Sequence, residues 1–359
     1  MKKLASLLLA MALVASLAAC GGKTTEETPD DANASQTTEP GSDASGSGYT
    51  GGEYRLMASS HIAVEELGSI YMDDFCDRVE EKTGGKITFD RFYASQIANQ
   101  AESAEGLKTG TVDIAINDWP SMSSINGYSK GDLLALSYLF KNYDHVRAFF
   151  ASDDYSQMCD ELIDQIGIRC LATGTAGFRQ VGTQDAPITS YEDFAGLRIR
   201  CPDIAIYVNT FQALGCATTI VANSEVYTAL QTGIVDSVEN PIAGIWNTSW
   251  YEQLDYINET NHIFCDIGLF INEDKFQSLD AEAQAVLVEC AQEAAEANID
   301  LAESSNEEYI AKCEEAGLVY NTFDTAPVVE IMKSAVWPAY YEAVDGGEEL
   351  VARVLALAE

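Results

Sequence analysis

Positive charge is scarce in this chain of 359 residues: 20 Lys and Arg face 57 Asp and Glu, a formal net charge of −37. Nucleic-acid binding needs basic surface to displace phosphate counterions, and this balance argues strongly against it. It argues equally against adsorption to anionic lipid. Histidine is rarer still, and His61, His145 and His262 are too scattered to form a metal ligand set. Nine Cys occur without a single C-x-x-C pair, so the chain carries no zinc or redox motif of that kind. H-E-x-x-H and P-loop elements are also absent, and no cofactor is expected. Paired carboxylates would suit a secreted hydrolase, but nothing singles out a pair among so many acids. Beyond residue 20 no apolar run approaches the roughly 20 residues that a membrane span takes.

What is present begins at the N-terminus. Lys2 and Lys3 precede an apolar stretch from Leu4 to Ala19, which at 16 residues is short for a span and reads as a signal-peptide core. It ends in Leu17-Ala18-Ala19-Cys20-Gly21, which resembles a bacterial lipobox, in which the Cys thiol takes the lipid. An ordinary secretory leader that happens to contain a Cys is the alternative. Residues 21 to 53 hold one Lys, one Tyr and no Val, Ile, Leu or Phe. Such a segment buries too little apolar surface to offset its ordering entropy. The expectation is a leader over 1–19, then a lipidated Cys20 and a flexible tether over 20–53. Removing Lys2 and Lys3 with the leader takes the charge from −37 to −39. Of the other cysteines (Cys76, Cys159, Cys170, Cys201, Cys216, Cys265, Cys290 and Cys313), many sit in apolar contexts such as Ile168-Arg169-Cys170-Leu171. They read as small buried hydrophobes, although an even count outside the cytoplasm permits disulfides.

Beyond the tether, strand-like and helix-like segments alternate. Strands are expected at Tyr54–Ser59, Lys86–Phe92, Val112–Ile116, Ile168–Thr173, Arg179–Thr183, Leu197–Cys201 and Ala217–Val221. Helices are expected at Ile70–Lys82, Ala101–Lys108, Tyr143–Ile166, Ile204–Leu214 and Ser224–Thr232, with Gly84 and Gly110 as stops. This alternation predicts α/β architecture with mostly parallel sheets. From Asp280 to Lys312 no Gly or Pro occurs, and no heptad of large apolar residues is sustained. A long helix bridging two domains fits that stretch.

The central region carries an ordered series of short motifs. It runs Gly177-Phe178-Arg179-Gln180, Gly196-Leu197-Arg198-Ile199-Arg200-Cys201-Pro202, Ala213-Leu214-Gly215, Ser224 to Gly233, Val235-Asp236-Ser237-Val238-Glu239-Asn240-Pro241 and Thr260-Asn261-His262. Order and spacing together resemble the extracytoplasmic solute-binding subunit of TRAP transporters, the DctP-type family. Gly84-Gly85-Lys86, Ala94-Ser95-Gln96-Ile97 and Gly110-Thr111-Val112-Asp113 extend the resemblance toward the N-terminus.

The resemblance implies a two-lobed, periplasmic-binding-protein-like fold of type II character, with a long helix spanning both domains. Domain I would take residues 54–176 and 266–305, and domain II residues 177–265 and 306–359. It implies a receptor rather than an enzyme, a membrane permease as partner, and a small carboxylate as ligand. In the family an Arg at the position of Arg200 binds the ligand carboxylate, and the positions of Arg179 and Asn240 commonly face the ligand. The residues themselves support this: three of nine Arg (Arg179, Arg198, Arg200) fall close together, and a guanidinium fork matches a carboxylate where an ammonium does not. For Arg179 a structural brace is the alternative, for Asn240 a helix cap, and Arg198 reads as solvated. Ser237, Val238 and Asn223 depart from the family pattern and bear on ligand identity. Asn223 is a candidate contact, as are Asp118 and Trp119 after the third strand, with core packing the alternative for Trp119. An ABC-type solute-binding lipoprotein and a sensory lipoprotein are the competing functions.

Overall fold

The computed structural model describes residues 48–358; the leader, Cys20 and most of the tether lie outside this range. The tether ends sooner than its composition suggests. Tyr49, its one large side chain with apolar area, is buried, and Thr50 and Gly52 donate main-chain hydrogen bonds to Glu282 (2.9 Å) and Asp280 (2.7 Å). A single aromatic ring and two acids at a helix start suffice to anchor a segment that is otherwise polar.

The elements run β1 (Tyr54–Ser59), α1 (Leu67–Thr83), β2 (Ile87–Phe92), α2 (Gln100–Thr109), β3 (Ile114–Asn117), α3 (Trp119–Ser123), α4 (Tyr143–Phe150), α5 (Asp153–Ile166) and β4 (Ile168–Thr183). Then follow β5 (Arg198–Cys201), α6 (Ala205–Ala213), β6 (Ala217–Ile220), α7 (Val226–Gln231), β7 (Ser237–Pro241), α8 (Ile242–Asn247), β8 (Tyr256–Asn258), β9 (Phe264–Asn272) and α9 (Glu273–Gln277). The chain closes with α10 (Ala281–Glu315), β10 (Val319–Asn321), α11 (Ala326–Ile331), α12 (Trp337–Tyr341) and α13 (Gly347–Ala356).

Gly84 and Gly110 end α1 and α2 in the left-handed conformation, as their positions predict. The expected single helix from Tyr143 to Ile166 is two. Ser152 adopts an extended backbone and caps α5 by accepting from Tyr155 N, and Asp153 and Asp154 favour the new N-terminus. Conversely, the two strands expected on either side of residues 174–178 are one, β4. Its glycines serve close approach and a bulge rather than a turn. A Cβ on Gly174 would lie 2.3 Å from Asn298 Oδ1, and Gly177 takes φ +104° at a register shift.

The strand order is β2-β1-β3-β9-β4-β7-β5-β6, with β8 on β4 and β10 on β8. Pairing is mixed rather than mostly parallel. β1–β2, β1–β3, β5–β6, β5–β7 and β8–β10 are parallel, whereas β9 runs antiparallel to β3 and β4, and β4 antiparallel to β7 and β8. The helical crossovers that enforce parallel pairing connect β1 to β3 and β5 to β7, but β9 returns without one. The first part of β4 pairs with β9 and its last five residues with β7, so one strand serves both halves of the sheet.

The fold is α/β, with α10 as its longest helix at 35 residues, about 52 Å at 1.5 Å per residue. Asp280 caps it through Glu282 N and Ala283 N. Its small residues Ala283, Ala291 and Ala294 let it lie close against α1 and β4, while Val286, Leu287 and Ile299 contribute about 1.5–3 kcal/mol each by burial. Asn298 pins it from within: Oδ1 accepts from Thr175 N (2.6 Å) and Nδ2 donates to Leu67 O (3.3 Å). Toward its end Cys313 joins a second cluster with Val226, Leu230, Ile245 and Trp250. The C-terminal helices pack on both sides, through Trp337 Nε1 to Ser137 O (3.1 Å) and through Met332 and Trp337 in a cluster with Tyr207 and Phe211. The eight cysteines of the described residues are unbridged, and Cys76, Cys201, Cys216, Cys290 and Cys313 are buried.

Candidate ligand-binding site

A cavity of about 530 Å³ opens where the carboxyl ends of β1, β3, β5 and β6 meet the middle of β4 and the start of β9. Clefts beyond strand ends are where open α/β sheets hold ligands. Arg200, Arg179, Asn240, Asn223 and Asp118 all line it, so five side chains spread over more than 120 positions of sequence converge. Trp119 does not line it. Its ring is fully buried against Tyr128, Tyr155 and Phe270, with Nε1 donating to Thr173 Oγ1 at 3.0 Å. Its main-chain N does brace the wall, donating to Asp266 Oδ2 at 2.7 Å.

The two buried arginines differ in one decisive respect. Arg179 donates to both carboxylate oxygens of Glu239, the Nη2–Oε1 contact being 2.8 Å, and to Glu239 O at 3.0 Å. Burial opposes charge on Glu239, but the Arg179 guanidinium outweighs it and holds the carboxyl down to about 2. His262 Nε2 stands 3.5 Å from Glu239 Oε2, Thr260 bonds His262 Nδ1 (2.8 Å), and Gln180 Oε1 accepts from Thr260 N (2.9 Å). The motif residues 179–180, 239 and 260–262 are therefore one braced knot beneath the cavity.

Arg200 has no such partner. Among the described residues, the other eight arginines each lie within 4.0 Å of a carboxylate, and Arg200 does not. Its Nε donates to Val221 O (2.8 Å), its guanidinium lies 5.6 Å from the Trp250 ring centre, and it is 4% exposed. Burial pushes its pKa down to about 10, with the more distant Glu239 and Glu66 carboxyls opposing, which leaves it protonated at neutral pH. Arg198, at the outer end of the same strand, is exposed and pairs with Asp236 (2.9 Å).

Asn240 caps nothing: α8 starts at Ile242, Pro241 at its N-cap position offers no side-chain cap, and Asn240 lines the cavity with its amide beside Gly244. Asn223 Nδ2 donates to Glu66 Oε1 (3.3 Å). Asp118 accepts from Ser121 N (2.9 Å) and Gln100 Nε2 (2.9 Å), with its pKa raised by burial. Sequence reasoning missed Glu66, Asp132, His61, Tyr207 and Asp266, all on the wall. Burial pushes Glu66 and Asp132 up to about 7, pushes His61 down to about 4, and raises Asp266 well above the usual range with Asp118 adding to it. Asp266 had a signal, a lone acid inside the apolar strand Phe264–Asn272; Tyr207 had none. One hydrolase-like string does occur, Gly127-Tyr128-Ser129-Lys130-Gly131, but Ser129 sits in a loop that leads into a short 3-10 helix rather than at a strand-to-helix elbow.

The model of the DctP family, bacterial extracellular solute-binding protein family 7, matches residues 59–344. The chain belongs to that family. This binding protein is 28% identical over 282 residues to the sialic acid-binding periplasmic protein SiaP of Vibrio cholerae, covering 78% of this chain and 86% of that one. It is 26% identical over 289 residues to the C4-dicarboxylate-binding periplasmic protein DctP of Rhodobacter capsulatus, covering 79% and 85%. It is similar to the crystal structure of a TRAP periplasmic solute binding protein from Roseobacter denitrificans with bound L-galactonate, with 26% identity, a TM-score of 0.77, and coverage of 86% and 100%. The family serves transport by binding solutes, not by transforming them. No helix of the described residues is long and apolar enough to cross a membrane.

Proposed function

We propose that this binding protein captures a small carboxylate for a TRAP-type membrane permease, with Arg200 as the anion clamp and Arg179 and Asn240 assisting. The unpaired, buried Arg200 carries this reading. A buried ion loses several kcal/mol of hydration. A ligand carboxylate supplies the missing counter-charge, through charge-assisted hydrogen bonds of about 1.5–3 kcal/mol each. The net charge of −37 is no obstacle, because surface acids beyond the Debye length of about 8 Å are largely screened. Relatives named for sialic acid and C4-dicarboxylates, and one holding L-galactonate, support an organic acid as the ligand class.

The two halves of the sheet support two lobes that close on the ligand, residues 54–176 with 266–305 and residues 177–265 with 306–359. Hydrogen bonds from Asn223 to Glu66 and from Asn247 to Glu65 O (2.9 Å) run between them. The lipobox-like Leu17–Cys20 supports a lipid on Cys20 that tethers the protein outside the cell membrane. Cys20→Ala should release it from the membrane fraction.

A thermal-shift screen of carboxylic acids alongside their neutral carboxamides tests the clamp. A ligand at a hundred times its Kd stabilises the folded state by about 2.7 kcal/mol. Acids should raise the melting temperature and their amides should not; equal shifts from both would sink the anion reading.

A further inference from the structure

Seven buried side-chain polar atoms of the described residues lack a hydrogen-bond partner, and three of them line the ligand cavity: His61 Nδ1, Tyr207 Oη and Asp266 Oδ1. Tyr207 and Asp266 are each 1% exposed. Neither vacancy is explained by folding. Asp266 is already held by its other oxygen on Trp119 N, and the Tyr207 ring is held 4.9 Å from the Arg179 guanidinium. Native interiors leave few such groups unpaired, because each costs its desolvation without return. Two on one cavity wall point to a partner that arrives from outside.

The rest of the wall says what that partner is not. Its basic side chains are His61, which burial holds neutral, Arg179 and Arg200, and Arg179 is committed to Glu239. Glu66, Asp118 and Asp132 join Asp266 on the acidic side. Asp266 lies on β9 and Arg200 on β5, with β4 and β7 between them in the sheet. Three strand spacings separate them, roughly 14 Å along the sheet. One end of a ligand therefore meets an unpaired guanidinium, and its body meets a carboxyl oxygen and a phenol.

We propose that Tyr207 and Asp266 read hydroxyl groups on the ligand, so that the protein selects hydroxylated monocarboxylates over dicarboxylates and over plain alkyl acids. The proposal rests on Arg200 holding the carboxylate. A hydroxyl both donates and accepts, so it suits either Asp266 Oδ1 or Tyr207 Oη. A second carboxylate would face Asp118, Asp132 and Asp266 without a free cation, and an alkyl chain would leave the buried polar atoms unpaired. Sites built to bond a hydroxyl discriminate strongly against analogues that lack it, for this reason.

The test matches chain length and varies chemistry. The full-length protein in detergent is titrated calorimetrically with a panel of six-carbon acids: hexonates and hexuronates including L-galactonate, against hexanoate and adipate. At least one hydroxylated acid should bind at least tenfold more tightly than hexanoate and adipate. Tyr207→Phe and Asp266→Asn, which keep ring and shape, should each narrow the hydroxy-acid to hexanoate ratio by about tenfold, the loss of roughly one hydrogen bond. If no hydroxylated acid binds, if adipate or hexanoate binds as well as the best of them, or if neither variant narrows the ratio, the proposal fails. Arg200→Met separates the two claims. Adipate or hexanoate binding that vanishes in Arg200→Met leaves the clamp standing and the hydroxyl reading overturned. Hydroxy-acid binding that survives it overturns the clamp.

Discussion

Glu239→Gln isolates the knot beneath the cavity. Glu239 is fully buried and Arg179 is 5% exposed, and each is the other's counter-charge. Removing the carboxylate charge leaves the Arg179 guanidinium buried beside an already unpaired Arg200. Breaking one side of a buried ion pair costs about 3–5 kcal/mol. At roughly 2–4 °C per kcal/mol for domains of 150–250 residues, melting should fall by on the order of 10 °C at pH 7. The double variant Arg179→Met/Glu239→Leu, which removes both charges, should recover most of that loss. Acid sensitivity gives a second readout. The Glu239 carboxyl is held at about 2 against an ordinary 4.5, so its contribution is present above 4.5 and lost as pH falls from there through 2. Wild type should lose more melting temperature over that window than Glu239→Gln. Calorimetric melting curves at pH 7, 4 and 2.5 measure both. A Glu239→Gln protein that melts within about 2 °C of wild type at pH 7, with the same acid slope, would refute the reasoning.

Three further outcomes follow from the packing and the wall. Asp132 is pushed up to about 7 from 3.8, so the folded state is penalised as pH rises through that interval; Asp132→Asn should melt higher than wild type at pH 8 and show no such gain at pH 4. Gly174→Ala drives a methyl into Asn298 and should cost about 1–3 kcal/mol in chemical unfolding. Trp119→Phe should lower stability by about 1–3 kcal/mol through the lost bond to Thr173, while leaving ligand affinity in calorimetry unchanged, because the ring stands outside the cavity.

Local signals carried much of the fold. Glycine stops, an Asp cap before an Ala-rich run and β-rich segments each act over a few residues, and α1, α2, β5, α6 and α10 fall where those signals put them. The failure at β4 is non-local. Gly174 and Gly177 punctuate a sequence in the same way whether they make a turn or admit a neighbouring helix, and only the position of Asn298 decides between the two. The Ser152 cap was a readable local signal, overridden by an apolar period that continues across it. At the site, Arg200, Arg179, Asn240 and Asn223 were named from the motif series and Asp118 from its place after a strand, and all five line the cavity. What no motif reveals is that Glu239 neutralises one arginine and leaves the other alone, because that depends on β4 and β7 lying side by side. Tyr207 reaches the wall from a helix face whose apolar neighbours give no hint of it.

The central claim is that Arg200 holds the ligand's carboxylate. An acid that binds wild type is titrated calorimetrically into wild type, Arg200→Lys and Arg200→Met, with melting curves of each protein empty. Two charge-assisted bonds of about 1.5–3 kcal/mol correspond to roughly a hundred- to ten-thousand-fold in affinity. Arg200→Met should lose that much. Arg200→Lys should bind more weakly than wild type, since an ammonium keeps the charge but lacks the planar fork. With no carboxylate within 4.0 Å to strand, empty Arg200→Met should melt within about 2 °C of wild type. Binding by Arg200→Met within threefold of wild type would contradict the claim, whatever the ligand proves to be.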